Sequence, residues 1–365
     1  MREYLLTAVI AGAVTYLLTP LVRVLAIRLG AMAPIRPRDV HLEPTPRWGG
    51  IAMLGGMLVA LLVAYHLPLL HHAFQNGRDV LAIASGAILI TMLGIADDVW
   101  QLDALTKLAG QALAAGVMVS QGMQLLWLPI HGVLALPPVV GPFLTVLIVL
   151  IAINAVNFVD GLDGLAAGIV AISASSFFAY SYLLAVVHGF ARANAATLIT
   201  SILVGICVGF LPHNVSPARI FMGDSGSMLL GLLLASAVIS LTGGLDANGL
   251  SAENLAPALL PLLLPVAVMA IPLIDMGLAI IRRTSAGRSP FAPDKEHLHH
   301  RLLNIGHSKK QAAFVLYLWT AAIAFPFSAS AFLPLKWAVV AGVCAMALAT
   351  GATLKAVARR PGARL

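Results

Sequence analysis

The chain is poor in charge and in cysteine. Only 10% of its 365 residues are Asp, Glu, Lys or Arg, against about 25% in a soluble globular protein, and that excludes the soluble class. Cys207 and Cys344 are the only cysteines, and both lie in apolar runs. Neither a disulfide framework nor a cysteine zinc site is expected from them. No A-x-A-like cleavage site closes the first apolar run, so it reads as a retained helix and not a signal peptide. Inverted repeats of the kind that build secondary transporters are missing.

What is abundant is hydrocarbon. Hydrophobic residues make up 60% of the chain and the mean hydropathy is +0.94. Apolar runs of roughly 20 residues recur, the length at which a helix crosses a bilayer. The pattern predicts an all-α, polytopic integral membrane protein, one transmembrane domain over 1–365 with about eleven spans. They fall roughly at 4–26, 48–67, 80–96, 105–123, 139–157, 164–188, 195–212, 225–242, 257–281, 311–332 and 335–355. The breaks between them carry Pro, Gly and polar residues, as helix ends do.

The basic residues set the orientation. Of the 22 Lys and Arg, all but Arg2, Arg78, Arg192 and Lys336 fall on one side of this topology. The positive-inside rule makes that side cytoplasmic, which puts the N-terminus outside and the C-terminus inside. Asp97, Asp98, Asp103, Asp160, Asp163, Asp224, Asp294 and Glu296 gather on the same side. Carboxylates contribute little to topology, so their gathering points to a site for a cation and an anionic substrate.

Four stretches carry that chemistry. In GIADDVWQLDALTK, Asp97 and Asp98 sit where a span meets a loop, followed by Lys107. They are solvated helix-end carboxylates or a site for a cation or lipid phosphate. In NAVNFVDGLDGLAAG, spacings of three put Asn154, Asn157, Asp160 and Asp163 near one helical face. Polar groups this close to hydrocarbon are costly and mark function more often than packing. In FMGDSGSMLLG, Asp224 opens an apolar helix, where Ser225 and Ser227 suit capping and an oxygen ligand suits phosphate. Phe221 is one helical turn earlier on this reading, positioned to offer an aromatic face to a base. The fourth stretch lies in the long cytoplasmic loop 282–310, where His297, His299, His300 and Arg301 crowd together. His-x-His invites zinc, but no cysteine accompanies it and oxygen ligands prevail elsewhere. Arg301 and the imidazoles suit phosphate or sugar hydroxyls better, with anionic lipid as the plainer alternative.

Together these stretches resemble the polyprenyl-phosphate N-acetylhexosamine-1-phosphate transferases. They are most similar to the bacterial branch that uses UDP-N-acetylglucosamine to begin polysaccharide or teichoic-acid linkage synthesis. The resemblance runs from PTPRWGG at 44–50 through the Asp97–Asp98 pair, NxxNFVDGLDGL and FMGDSGS to PDKEHLHHRLLxxGHS at 293–308. A related branch, which transfers phospho-MurNAc-pentapeptide, carries three consecutive histidines where this chain has His-Leu-His-His-Arg.

The resemblance implies a bacterial plasma-membrane enzyme with its site facing the cytoplasm. It implies UDP-GlcNAc and undecaprenyl or decaprenyl phosphate as substrates, contact with membrane lipids, no nucleic-acid partner and a possible homodimer. It implies Mg²⁺, with Mn²⁺ as a substitute, held by Asp224 and Asn157. By motif position, Asp97 and Asp98 are the essential acidic pair. Asp160 and Asp163 lie around nucleotide and metal, Lys107 contacts phosphate, Phe221 stacks on uracil, and Asn154 joins the substrate-binding set. His297, His299, His300 and Arg301 would recognise the sugar and close the site. Asp275 matches a family position without an assigned role. The competing expectations are the MurNAc-pentapeptide reaction and, from another class, a secondary transporter.

Overall fold

The computed structural model describes residues 1–33, 44–75, 79–128, 134–187, 193–244, 266–267, 269–287 and 297–355. It is built almost wholly of helices. In chain order they are α1 (Arg2–Arg28), α2 (Gly49–His66), α3 (Pro68–Gln75), α4 (Asp79–Trp100), α5 (Ala104–Ser120), α6 (Val140–Val159), α7 (Leu165–Tyr182), α8 (Ala193–Asn214), α9 (Gly223–Gly244), α10 (Ala270–Ser285), α11 (Leu298–Asn304), α12 (Lys309–Ala329) and α13 (Leu335–Leu354). A two-stranded hairpin, β1 (Trp127–Leu128) with β2 (Leu134–Ala135), follows α5.

Nine of these helices are long and apolar enough to cross a membrane, and each coincides with an expected span. The expected fourth span is α5, which at 17 residues is shorter than the others. The ninth, at 257–281, is described only from its later part, as α10. Three features were not expected: the short α3, the hairpin, and a π-helical turn at Leu183–Val187 that prolongs α7. The short helix α11 lies inside the expected cytoplasmic loop 282–310.

At the centre stands α9, whose apolar stretch is wholly buried, whereas only 17% of α13 is. Around α9 pack α2, α4, α6, α7 and α8, and α1 covers α2 and α8. Lipid tails are as apolar as leucine, so such a bundle is held by close packing and by satisfied polar groups. Hydroxyls inside the helices meet that demand by donating back one turn: Thr91 to the Ala87 carbonyl, Ser236 to that of Leu232, and Thr320 to that of Leu316.

Candidate active site

The start of α9 is the meeting point. Before it, residues 221–222 form a non-helical strap laced to the segment that leads into α2. Phe221 N–H donates to the Pro46 carbonyl (2.8 Å), and Gly49 and Gly50 N–H donate to the Phe221 and Met222 carbonyls (3.0 Å each). The helix begins only at Gly223, whose φ of +70° suits glycine. Phe221 is therefore not one helical turn from Asp224, as the spacing predicted. It precedes the helix on this non-helical strap, because the glycine turn breaks the helical register.

A helix start leaves backbone N–H groups without partners. Here Asp98, from the last turn of α4, supplies the acceptor. Its Oδ1 accepts from Asp224 N–H (3.0 Å) and its Oδ2 from Ser225 N–H (3.3 Å), with Arg47 Nη1 3.5 Å away. A Cβ on Gly223 would collide with this carboxylate. The position that favours phosphate at a helix N-terminus is thus taken by a carboxylate of the protein itself.

Beside it lies a second group of contacts. Lys107 Nζ stands 2.6 Å from Asp97 Oδ2 and 3.0 Å from Asp224 Oδ1. The ten residues from Asp97 to Lys107 are bridged by a tight α4–α5 turn. Asp103 caps α5 there by accepting from Leu105 and Thr106 N–H. The Thr106 hydroxyl, which also donates to it, and these N–H groups hold the exposed Asp103 carboxyl below its usual range. Asn157, on the last turn of α6, donates through Nδ2 to Asp224 Oδ1 and to Ser227 Oγ (2.9 Å). Four helices thus place Asp97, Asp98, Lys107, Asn157 and Asp224 together at one end of the bundle.

Asp160 caps the C-terminal end of α6. Burial, reinforced by the negative charges of Asp224 and Asp98, pushes its carboxyl up to about 8. Asp163 is buried and accepts from Ala218 N–H at 3.3 Å, bracing the α8–α9 connection. Asn154 lies one turn deeper than Asn157. Its Nδ2 donates to Gln111 Oε1 (2.7 Å) and to the Leu150 carbonyl, away from the carboxylates.

The histidine motif docks on the turn after α6. His297 stacks on Phe158 with centroids 5.7 Å apart, and Arg283 stands over the same Phe158 ring, 5.3 Å from its centroid. His299 lies parallel to His297 and abuts Gly161, where any Cβ would strike its ring. Burial pushes the His299 imidazole down to about 3, so it is neutral at physiological pH. His300 packs against His299. Arg301 is exposed and lines a cavity of about 330 Å³ with Ile271, Leu298 and Trp319, on the side of α12 and α13. Asp294 and Glu296 lie outside the described residues.

Several participants were not singled out from sequence: Arg47, Gln111 and Asn214. Ser227, expected to suit capping, also accepts from Asn157. Asn214 accepts from Gly164 N–H and donates to the Ile220 carbonyl, tying α7 to the strap. The PRWGG run held the one available signal, for Arg47.

Among the described residues no group of three His, Cys, Asp or Glu side chains forms a metal cage. A hard cation with few protein ligands still fits. Asp224 and Asn157 are in direct contact, and a carboxamide turned over presents oxygen where it now presents nitrogen. Oxygen donors that leave coordination positions to phosphate and water match Mg²⁺.

Residues 80–242 match the family model described as glycosyl transferase family 4. The chain is 47% identical to the decaprenyl-phosphate N-acetylglucosaminephosphotransferase of Mycolicibacterium smegmatis, over 99% of this chain and 90% of that protein. It is 34% identical to a probable undecaprenyl-phosphate N-acetylglucosaminyl 1-phosphate transferase of Bacillus subtilis, over 91% and 86% of the two chains. With a phospho-N-acetylmuramoyl-pentapeptide-transferase of Desulforudis audaxviator it shares 33% identity over 88% and 95%.

Proposed function

The chain belongs to the polyprenyl-phosphate N-acetylhexosamine-1-phosphate transferases of glycosyl transferase family 4, and from that premise we propose that it makes polyprenyl-diphosphate-GlcNAc from UDP-GlcNAc and a polyprenyl phosphate. It is a multi-pass membrane phosphotransferase that moves GlcNAc-1-phosphate onto the lipid. The donor nucleotide, the metal and the cytoplasmic placement of the site at a bacterial plasma membrane are parts of the proposal. The observation that carries it is the convergence of Asp97, Lys107, Asn157 and Asp224 at one end of the helices. Secondary transporters place their sites near the midplane of the bilayer. The higher identity to the decaprenyl-phosphate N-acetylglucosaminephosphotransferase, 47% against 33%, with His-Leu-His-His-Arg in place of three histidines, favours GlcNAc over the MurNAc pentapeptide.

In the proposed reaction an oxygen of the lipid phosphate attacks the sugar-linked phosphorus of UDP-GlcNAc. A new P–O–P bond forms, the bond to the UMP oxygen breaks, and UMP leaves. Such transfers require positioning and charge neutralisation more than covalent help. A phosphate monoester with its second pKa near ~6 is mostly dianionic at neutral pH, so no strong base is needed. Lys107 would neutralise phosphate oxygens, with Asp97 holding its ammonium. Asp98, with both oxygens committed to the α9 backbone, serves by holding Asp224 in place. Mg²⁺, or Mn²⁺, held by Asp224 and Asn157, would supply charge neutralisation of the pyrophosphate. Phe221 is proposed for the uracil and the histidine loop for the sugar.

The test is to incubate purified protein with UDP-[¹⁴C]GlcNAc, Mg²⁺ and decaprenyl phosphate. Labelled lipid and equimolar UMP are expected. No labelled lipid, or transfer only from the UDP-MurNAc pentapeptide, overturns the reading.

A further inference from the structure

Asp275 sits on α10 and is almost fully buried, at 2% exposure. Both of its oxygens are spent on the start of α11. Oδ1 accepts from Leu298 N–H at 2.9 Å, and Oδ2 faces His297 Nδ1 at 3.1 Å. His297 occupies the N-cap position of that helix but makes no side-chain cap of its own, so Asp275 caps α11 from a neighbouring helix.

We propose that Asp275 is a positioning residue that fixes His297 with a proton on Nδ1 and so presents Nε2 to the sugar phosphate of the donor. This rests on the reading of the chain as a GlcNAc-1-phosphate transferase. A carboxylate only accepts hydrogen bonds, so the nitrogen facing it carries the proton. The other ring nitrogen is then the one offered to a ligand. Dedicated carboxylates set the tautomer and ring orientation of working histidines in this way. Rotation of the ring is opposed by two stacked neighbours, Phe158 at 5.7 Å and His299 at 5.8 Å between centroids. Phe158 directly follows Asn157, and His299 rests on Gly161, the residue after Asp160. The ring that Asp275 orients is therefore docked on the same turn that carries Asn157 and Asp160.

Asp275→Asn separates orientation from scaffolding. The asparagine oxygen must stay on Leu298 N–H, since the amide nitrogen there would set donor against donor. That leaves the amide nitrogen facing His297 Nδ1, which must then accept, so the ring proton moves to Nε2. An aspartate-to-asparagine change of this kind in a histidine-containing triad leaves geometry intact and selects the wrong tautomer.

Full-length wild type, Asp275→Asn, His297→Gln and the double variant are compared in the transfer assay and in thermal unfolding. Asp275→Asn should lower kcat about 10- to 100-fold, with the unfolding midpoint and the KM for decaprenyl phosphate kept at wild-type values. The double variant should be no slower than His297→Gln alone, since coupled residues are not additive. Wild-type kcat in Asp275→Asn, a full second loss in the double variant, or a kcat loss matched by a collapse of the unfolding midpoint would each overturn the inference. A wild type without turnover would instead refute the functional reading.

Discussion

The carboxylate centre and the histidine platform are built by different means. Around Asp224 the contacts are ionic and backbone hydrogen bonds among four helices, all anchored on the buried α9. Around His297 they are ring stacking and one buried carboxylate, on the short helix α11. Both starts are nonetheless capped in the same manner, α9 by Asp98 and α11 by Asp275, each from a neighbouring helix. The groups proposed for metal and phosphate are thus held by the core of the bundle, while those proposed for the sugar sit on an attached element.

The largest effect should come from the core side. Asp224→Ala is expected to lower kcat by at least about 10²–10³-fold, the scale of losing one group that stabilises developing charge, with protein still inserted and folded. EDTA should stop the wild type, and Mg²⁺ or Mn²⁺ should restore it. Full turnover in EDTA would remove the metal from this centre and dissolve the contrast.

The next comparison is within the Asp97–Asp98 pair. Asp98→Ala removes the cap of α9, so it should cost about 0.5–2 kcal/mol of stability, read as a lowered unfolding midpoint, besides its loss of activity. Asp97→Ala, which frees one contact of Lys107, should lose activity with a smaller change in midpoint. Equal midpoints in the two variants would contradict the division of roles.

Recognition of the two halves of the donor should separate next. Base–aromatic stacking is worth about 1–3 kcal/mol, so Phe221→Ala should weaken UMP inhibition by roughly tenfold to a hundredfold. Arg301→Ala, on the far platform, should lower transfer while UMP inhibition stays near that of the wild type. The reverse pattern would exchange the two subsites.

At physiological pH the smallest effect is that of the His299 ring, which shows only on acidification. With the His299 ring pushed down to about 3 from 6.5 by burial, the unfolded chain binds a proton there that the folded chain refuses. Folded stability should therefore fall as pH drops below about 6.5 and continue to fall toward 3, and His299→Asn should flatten that slope. The activity profile between pH 6 and 8 should show no inflection from this ring. A wild-type slope kept in the variant would show that His299 is not the source.

The spans were legible because hydropathy reports a helix in lipid directly. Nine of them stood where apolar runs of sufficient length stand. The short α5 was harder, since Lys107 and Gln111 interrupt it to serve other helices. The candidate site residues were visible as polar groups too near hydrocarbon, but their contacts with one another were not. That Asp97 meets a lysine while Asp98 meets two backbone N–H groups depends on the rotation of α4 against α9. Nothing in an Asp-Asp pair encodes it. Phe221 was misjudged as helical because a spacing of three reads as one turn, while the left-handed Gly223 ends that register. Asn154 shares a spacing with Asn157 yet faces α5. Asp275 was matched to a family position but given no role, because its partners lie 22 and 23 residues away.

The central claim is that the metal binds at the α9 start and not at the histidines. Mn²⁺ binding to the full-length protein, followed by electron paramagnetic resonance with UMP present, tests it most directly. The account predicts that Asp224→Ala loses the bound Mn²⁺ signal and that the His297→Ala and His299→Ala variants keep it. A signal that survives Asp224→Ala and disappears with the histidines would contradict it.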